Sequence, residues 1–297
     1  MTPNMRGALL MMGSMAAFTL NDTCIKATHG MMPLLQVLTL RGLVSTLLLF
    51  LLARQLGSLR LRMGPGDALM VALRCGAEVA AAYFFLTALM NMPLANVTAV
   101  LQVLPLTVTL GAALFFGERV GWRRLLAIGL GFGGMLLIVR PGPDGFSLHA
   151  GYALAAVGCV TLRDLATRRM SAQVSSMTVT VLSAFAVFAA AGLASLWIDW
   201  VPMTGANVAL IGGSSVFVML GYLLSVMVMR VGEVSYVAPF RYTGLLWALL
   251  LGWLVFGHWP EPLTLLGAGI VAMAGLFTLY RGRQLAGGTG AANTRRT

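Results

Sequence analysis

The sequence predicts an all-α integral membrane protein of ten transmembrane helices, arranged as two inverted five-helix repeats. Three observations predict it. The 297-residue chain is 59% hydrophobic and 10% charged, with a mean hydropathy of +0.87, whereas a soluble chain carries roughly 25% charged residues to cover its water-facing surface. Its apolar residues fall into runs of about 20, the length that crosses the hydrocarbon core of a bilayer. The stretch 233–280 also repeats 95–139 at a shift of 140 residues. Phe256-Gly257-His258 falls on Phe116-Gly117-Glu118, Leu265-Leu266 on Leu125-Leu126, and Gly269 on Gly129. Such self-similarity divides the chain into like units.

The first span, 7–27, follows an N-terminus with no small-residue cleavage site, so it reads as a span and not a removable leader. Gly30 and Pro33 turn the chain into 33–53. The third span, 68–90, stops at Pro93, and the fourth, 94–116, at the Phe-Gly turn. Gly121 opens the fifth, 122–140. The run PGPDGFS, 141–147, separates the halves, giving a first repeat at 1–145 and a second at 146–283. The second repeat holds 148–167, 175–197, then 207–229 after Pro202, 234–256 after Gly232, and 262–281 after Pro260 and Pro262. Residues 284–297 are small and polar, the composition of a disordered tail.

Orientation follows from the loop arginines, because short cytoplasmic loops collect positive charge. With the N-terminus inside, the inner segments hold Arg6, Arg54, Arg60, Arg62, Arg119, Arg123, Arg124, Arg168, Arg169, Arg230, Arg281, Arg283, Arg295 and Arg296, and the outer ones Arg140 alone. Both termini are thus expected in the cytoplasm of a bacterial inner-membrane protein. Five spans per repeat is an odd number, so the second half starts on the opposite side from the first. Halves of opposite topology are the architecture by which many secondary transporters alternate access to a midplane site. The formal charge of +11 follows the span ends and makes no nucleic-acid patch. Cys24, Cys75 and Cys159 all lie inside apolar runs, where cysteine behaves as a small hydrophobe. No disulfide, metal or cofactor is expected.

Ionisable groups at membrane depth are costly and usually face a cavity or each other. Those here are Asp22 and Lys26, Arg41, Arg74 and Glu78, Arg163 and Asp164, and Arg241. Asp22–Lys26 and Arg74–Glu78 are four apart and can share a helix face; they grip a solute or lock helices together. Arg41 and Arg241 have no local partner. Pro239 beside Arg241 loosens its helix and frees backbone carbonyls, and Tyr236 and Tyr242 flank it. Arg163-Asp164, near the end of its span, reads either as an interfacial pair or as part of the cavity. Asn21, Gln36, Asn96, Gln102, Tyr83 and Tyr222 read first as interhelical hydrogen bonds. Gly129, Gly131, Gly133 and Gly134 read as close helix packing. Any coupled proton must run mainly through Asp22, Glu78 and Asp164. His149 and His258 sit at span ends and carry no expected role.

Two five-helix halves, each with a Phe-Gly-Glu-type turn before a Gly-rich last span, resemble the EamA branch of the drug/metabolite transporter superfamily. Lys26, Arg41, ALFFGERVGWRRLLAIGLGFGG and LGWLVFGHWPEPLTLLGAGIV carry the likeness over about 6–283; His258 departs from the usual Glu. NDTCIKATHG, LRGLVSTLL and APFRYTGLLWALL are similar to bacterial S-adenosylmethionine and riboflavin uptake carriers. The resemblance implies a central cavity lined by the first, third, fourth, sixth, eighth and ninth spans. Carried onto this chain, its lining includes Asp22, Arg74, Glu78, Gln102, Arg163, Asp164, Arg241 and Tyr242; Tyr236 joins the candidate set from its place beside Arg241.

The expected function is secondary transport of a small organic metabolite, riboflavin first, then S-adenosylmethionine and amino acids or amines. A proton or an exchanged solute is the possible coupling partner, and the protein is a monomer or a homodimer. No H-E-x-x-H metal set, G-x-S-x-G elbow or P-loop is present, so an enzyme is the weaker reading. No selectivity loop or charge ring suggests a channel.

Overall fold

The computed structural model describes residues 3–55, 57, 59, 63–117, 120–139, 147–171, 173–231 and 237–293. Among these every regular element is a helix. The first half comprises α1 (Pro3–Ala27), α2 (Leu34–Gln55), α3 (Pro65–Asn91), α4 (Leu94–Leu101), α5 (Leu104–Phe116) and α6 (Trp122–Val139). The second comprises α7 (Leu148–Arg169), α8 (Ser176–Ala194) with a 3₁₀ turn to Trp197, α9 (Gly205–Val231), a 3₁₀ segment (Ala238–Tyr242), α10 (Thr243–Phe256) and α11 (Pro262–Asn293).

Seven helical stretches are long and apolar enough to cross a membrane: 3–27, 34–55, 65–91, 94–116, 176–197, 205–225 and 238–256. Of the other three expected spans, 125–139 and 262–278 form shorter apolar helices. The third is α7, which is long enough but carries Arg163, Asp164, Arg168 and Arg169. Its polarity has a use, since it presents Arg163, Asp164 and Arg168 to the interior cavities described below. At the C-terminal end α11 continues to Asn293, beyond the expected end at 281 and into the tail read as disordered, because no proline interrupts its register.

The fourth and ninth spans differ from the unbroken helices the hydropathy suggests. Helix pairing stops at Gln102-Val103, ahead of Pro105, which lacks the N–H that a helix interior needs. In the second half the 3₁₀ segment with Pro239 gives way to α10 after Tyr242. Gln102 and Tyr242 are 140 residues apart, so both breaks fall at one position of the repeat. The ends of these helices match too. Gly117 and Gly257 each adopt a left-handed φ of 66°, and each closes its helix with a backbone cap.

The main packing pairs cross between the halves: α1 with α9, α3 with α7, α2 with α8, α6 with α11, and α4 with α10. Exchanging first-half helices for their second-half counterparts returns the same set of pairs. Each pair is antiparallel. Along α2 and α8, Thr39 approaches Gly192, Gly42 approaches Phe188, and Leu49 clusters with Val181. Along α1 and α9, Ser14 donates to the Gly221 carbonyl at 2.8 Å and Phe18 meets Tyr222 edge-on at 5.3 Å.

The α6–α11 crossing depends on glycine. A Cβ at Gly267 would stand 2.5 Å from the Gly134 carbonyl oxygen, and one at Gly134 would stand 2.9 Å from Ile270. Gly131 likewise receives Leu106, whereas Gly129 and Gly133 face open space. So only two of the four glycines expected at a helix contact serve one. The main apolar core joins α4, α5 and α6 to α7, α10 and α11 around Val97, Val103, Leu106 and Val271. A second core packs Ile25, Val37, Leu86, Leu89, Leu94 and Ile211 at the end where α1 finishes.

Candidate functional site

The polar side chains collect between the halves, toward the end of the bundle where α1 begins. Helices α3 and α7 bring the central cluster together. Arg163 lies 2.9 Å from the Asp164 carboxylate and 3.3 Å from that of Glu78, its side chain 24% exposed. Arg74, one turn before Glu78, turns to α7 and donates to the Thr167 hydroxyl at 2.6 Å. The expected Arg74–Glu78 pair is therefore not the one formed. The antiparallel register of α3 and α7 sets Arg163 opposite Glu78, and the inter-helix pair displaces the local one.

The second expected pair, Asp22–Lys26, also gives way. Asn21 donates to Asp22 at 2.8 Å, and Arg41 from α2 donates to Asn21 at 3.2 Å. Lys26, buried at 9% exposure, instead donates to the carbonyls of Leu89 at 2.8 Å and Met92 at 2.6 Å and faces the Phe256 ring. It thereby satisfies the free carbonyls at the end of α3, a favourable place for a cation. Lys26 ties together helices of both halves at the end opposite the cluster.

Three cavities surround the cluster. A hollow of about 90 Å³ lies among α2, α3, α8 and α9, lined by Arg41, Ser45, Arg74, Glu78, Ser183 and Tyr222. A cavity of about 380 Å³ lies along α1 and α9, lined by Met11, Met15, Phe18, Arg163, Tyr222 and Arg241. A third, of about 300 Å³, is bounded by the two helix breaks and by α7, with Gln102, Pro105, Thr109, Asp164, Arg168, Arg241 and Tyr242 on its wall. Tyr222 borders the first and second, and Arg241 the second and third. They are neighbouring compartments of one charged interior.

Of the candidate residues, Arg74, Glu78, Gln102, Arg163, Asp164, Arg241 and Tyr242 all line these compartments. Asp22 sits behind them, beside Arg41. Tyr242 shows the third cavity part of its ring, but its hydroxyl is turned against Gly275 of α11. Tyr236 lies outside the described residues, as do Glu118, Arg119 and Arg140. Arg241 is exposed on the wall and makes no hydrogen bond or ion pair among the described residues. Sequence reasoning passed over Ser45 and Arg168 as site residues, and assigned Tyr222 to helix packing. Only the helical spacing of Arg41 and Ser45, four apart, could have pointed to Ser45.

Broken helices at matching positions of two halves free backbone polar groups where a solute can meet them, and here both breaks border one cavity. The guanidinium groups supply charge and fixed donor geometry for oxyanions. No group of three or more potential metal ligands occurs among the described residues.

Comparison with known proteins adds an independent line. The sequence pattern of the EamA-like transporter family matches residues 5–140 and again 149–280. A pseudopaline exporter of Pseudomonas aeruginosa is 28% identical over 90% of this chain and 94% of its own. A riboflavin transporter of Rhizobium johnstonii is 28% identical over 63% of this chain and 62% of its own. An S-adenosylmethionine uptake transporter of Rickettsia felis is 27% identical over 63% and 64%. A solved crystal structure, 17% identical, superimposes with a TM-score of 0.66 over 94% of this chain and 98% of that one, a likeness of fold.

Proposed function

From its membership of the EamA-like transporter family, we propose that this multi-pass membrane protein is a secondary carrier of a small organic metabolite, working by alternating access in the bacterial inner membrane. Ten spans in two inverted repeats, divided near 145, surround the cavities, and both termini face the cytoplasm. The observation that carries this reading is the pair of helix breaks at one repeat position, both bordering an arginine-lined cavity. The antiparallel pairing of α1, α2, α3, α4 and α6 with second-half helices supports the inverted arrangement. In the conformation described, the compartments lie toward the cytoplasmic end, while Lys26 and the second apolar core close the other. Arg74, Glu78, Gln102, Arg163, Asp164 and Arg241, with Tyr242 at the edge, form the substrate site. Asp22 supports it through Arg41.

Riboflavin and S-adenosylmethionine are the first cargoes to test, with amino acids and amines after them. Asp22, Glu78 and Asp164 are the carboxylates through which a coupled proton would run. An enzymatic role has less support, because Glu78 and Asp164 are engaged with Arg163 and no nucleophile–base pair accompanies them among the described residues.

The test is uptake of labelled riboflavin and S-adenosylmethionine into liposomes holding the purified protein. Saturable accumulation that is lost in Arg241→Ala is the expected result. Chemical conversion of a solute without net movement would contradict the carrier reading.

A further inference from the structure

The same cation–ring contact occurs twice, once at each end of the bundle. Lys26, on the last turn of α1, stands 5.5 Å from the centre of the Phe256 ring. Arg169, which ends α7, stands 5.4 Å from that of Phe116. Both distances fall within the range of a cation–π attraction. The two rings occupy one repeat position, 140 residues apart, each just before the left-handed glycine that closes its helix. Arg169 lies three residues, about one turn, past the position matching Lys26. In each contact the cation comes from the first helix of one half and the ring from the fourth span of the other. Each therefore bridges the halves, and the inverted arrangement sets one at either membrane face.

The two contacts are not in the same state. Lys26 is buried at 9% exposure and donates to the carbonyls of Leu89 at 2.8 Å, Met90 at 3.5 Å and Met92 at 2.6 Å. The Leu89 carbonyl would meet the N–H four residues on, but that residue is Pro93, which has none. Arg169 is exposed and makes no hydrogen bond or ion pair among the described residues. The helices differ in the same sense. At the outer end α1 packs on α3, whereas α7 and α9, the matching pair, show no comparable contact among the described residues. Helices α3 and α9 keep one register, 65–91 and 205–231. The end of α9 can thus offer carbonyls to a cation from α7, as α3 does to Lys26.

We propose that Lys26–Phe256 and Arg169–Phe116 are reciprocal latches, the first holding the outer mouth shut in this conformation and the second tightening when the inner mouth closes. On that switch Lys26 leaves the α3 carbonyls, and Arg169 draws onto the end of α9. Carbonyls and a ring hold a cation without an ion pair, so water can replace them as a latch opens. The proposal rests on the carrier reading and adds the residues that govern its two mouths.

The rate at which a water-soluble maleimide labels Met90→Cys tests it, on purified full-length protein in detergent with Cys24, Cys75 and Cys159 replaced. Met90 is 7% exposed and lines the outer pocket beside Lys26, so its labelling follows the opening of that mouth. Lys26→Met is expected to speed labelling at least about fivefold, within what a few hydrogen bonds from a charged donor can hold. Adding Arg169→Met is expected to bring the rate back toward that of the parent, since it weakens the outward-open state. Phe256→Leu, which leaves Lys26 its carbonyls, is expected to give a smaller rise of the same sign. It is paired with Arg169→Met in the same way should Lys26→Met fail to melt cooperatively. No change from the outer substitutions would overturn the latches, as would a rise that Arg169→Met leaves untouched. Labelling needs no transport, so the two readings fail separately. A carrier whose outer mouth ignores these substitutions removes the latches only. Reciprocal labelling in a protein that moves no solute into liposomes removes the carrier reading only.

Discussion

Arg163 is the residue on which the interior charges converge. It compensates Glu78 from α3 and Asp164 from its own helix, and both acids are partly shielded from water. Removing it strands two carboxylates, which costs several kcal/mol when they are fully buried and less at the exposure seen here. Arg163→Ala is expected to lower unfolding stability by about 2 kcal/mol. Adding Glu78→Gln to that variant is expected to restore part of the loss, which thermal unfolding of the single and double variants measures. Equal stability of wild type and Arg163→Ala would show that the pairing is incidental. The sequence exposed these charges but not their partners. Spacing of four on one helix favoured Asp22–Lys26 and Arg74–Glu78, yet tertiary contacts decide otherwise, because a carboxylate gains more from a guanidinium facing it than from one beside it. The capture of α3 carbonyls by Lys26 has no local signature, since the acceptors lie more than sixty positions away in sequence.

Glycine and proline set the behaviour of the elements. Gly133 and Gly134 are neighbours on α6 with opposite surroundings: a Cβ at Gly133 meets nothing within 4 Å, whereas one at Gly134 meets the Gly267 backbone at 2.8 Å. Gly134→Ala is therefore expected to cost about 1–3 kcal/mol through overpacking against a backbone that cannot yield. Gly133→Ala is expected to be neutral or to stabilise by up to about 1 kcal/mol through helix propensity. Melting of the two variants side by side separates a specific crossing from a general dislike of larger residues. The helix breaks give a second expectation. Pro105→Ala combined with Pro239→Ala restores two N–H donors and favours continuous helices, so transport is expected to fall at least tenfold while the protein stays folded. Unchanged transport would detach the breaks from function. The break in the second half was legible through Pro239 beside a charge. Its counterpart carries an equivalent mark in Pro105, which the sequence reading left unused because Leu94 to Phe116 has the length and hydropathy of one unbroken span. The polar character of α7 was legible as charge; that this charge serves the interior emerges only when α3 packs against it.

At the scale of the molecule, the repeat was the most readable feature, since the Phe-Gly turns at 117 and 257 and the leucine and glycine positions after them align without gaps. How the halves combine was not readable. They interleave, so that α1 packs on α9 and α3 on α7, and the site is shared by both halves at every wall. Neither half encloses the cavities alone, which is why the charges looked unpartnered when each was taken on its own helix. Inverted halves also require that matching loops emerge on opposite faces of the bilayer. Gly30, between α1 and α2, and Gln173, between α7 and α8, occupy matching places in the two repeats. The direct measurement replaces each in turn by cysteine, in a background with Cys24, Cys75 and Cys159 removed, and labels intact cells with a membrane-impermeant maleimide. The inverted arrangement predicts that the cysteine at position 30 labels from outside and the one at 173 only after the membrane is opened. Labelling of both from the same face would contradict it.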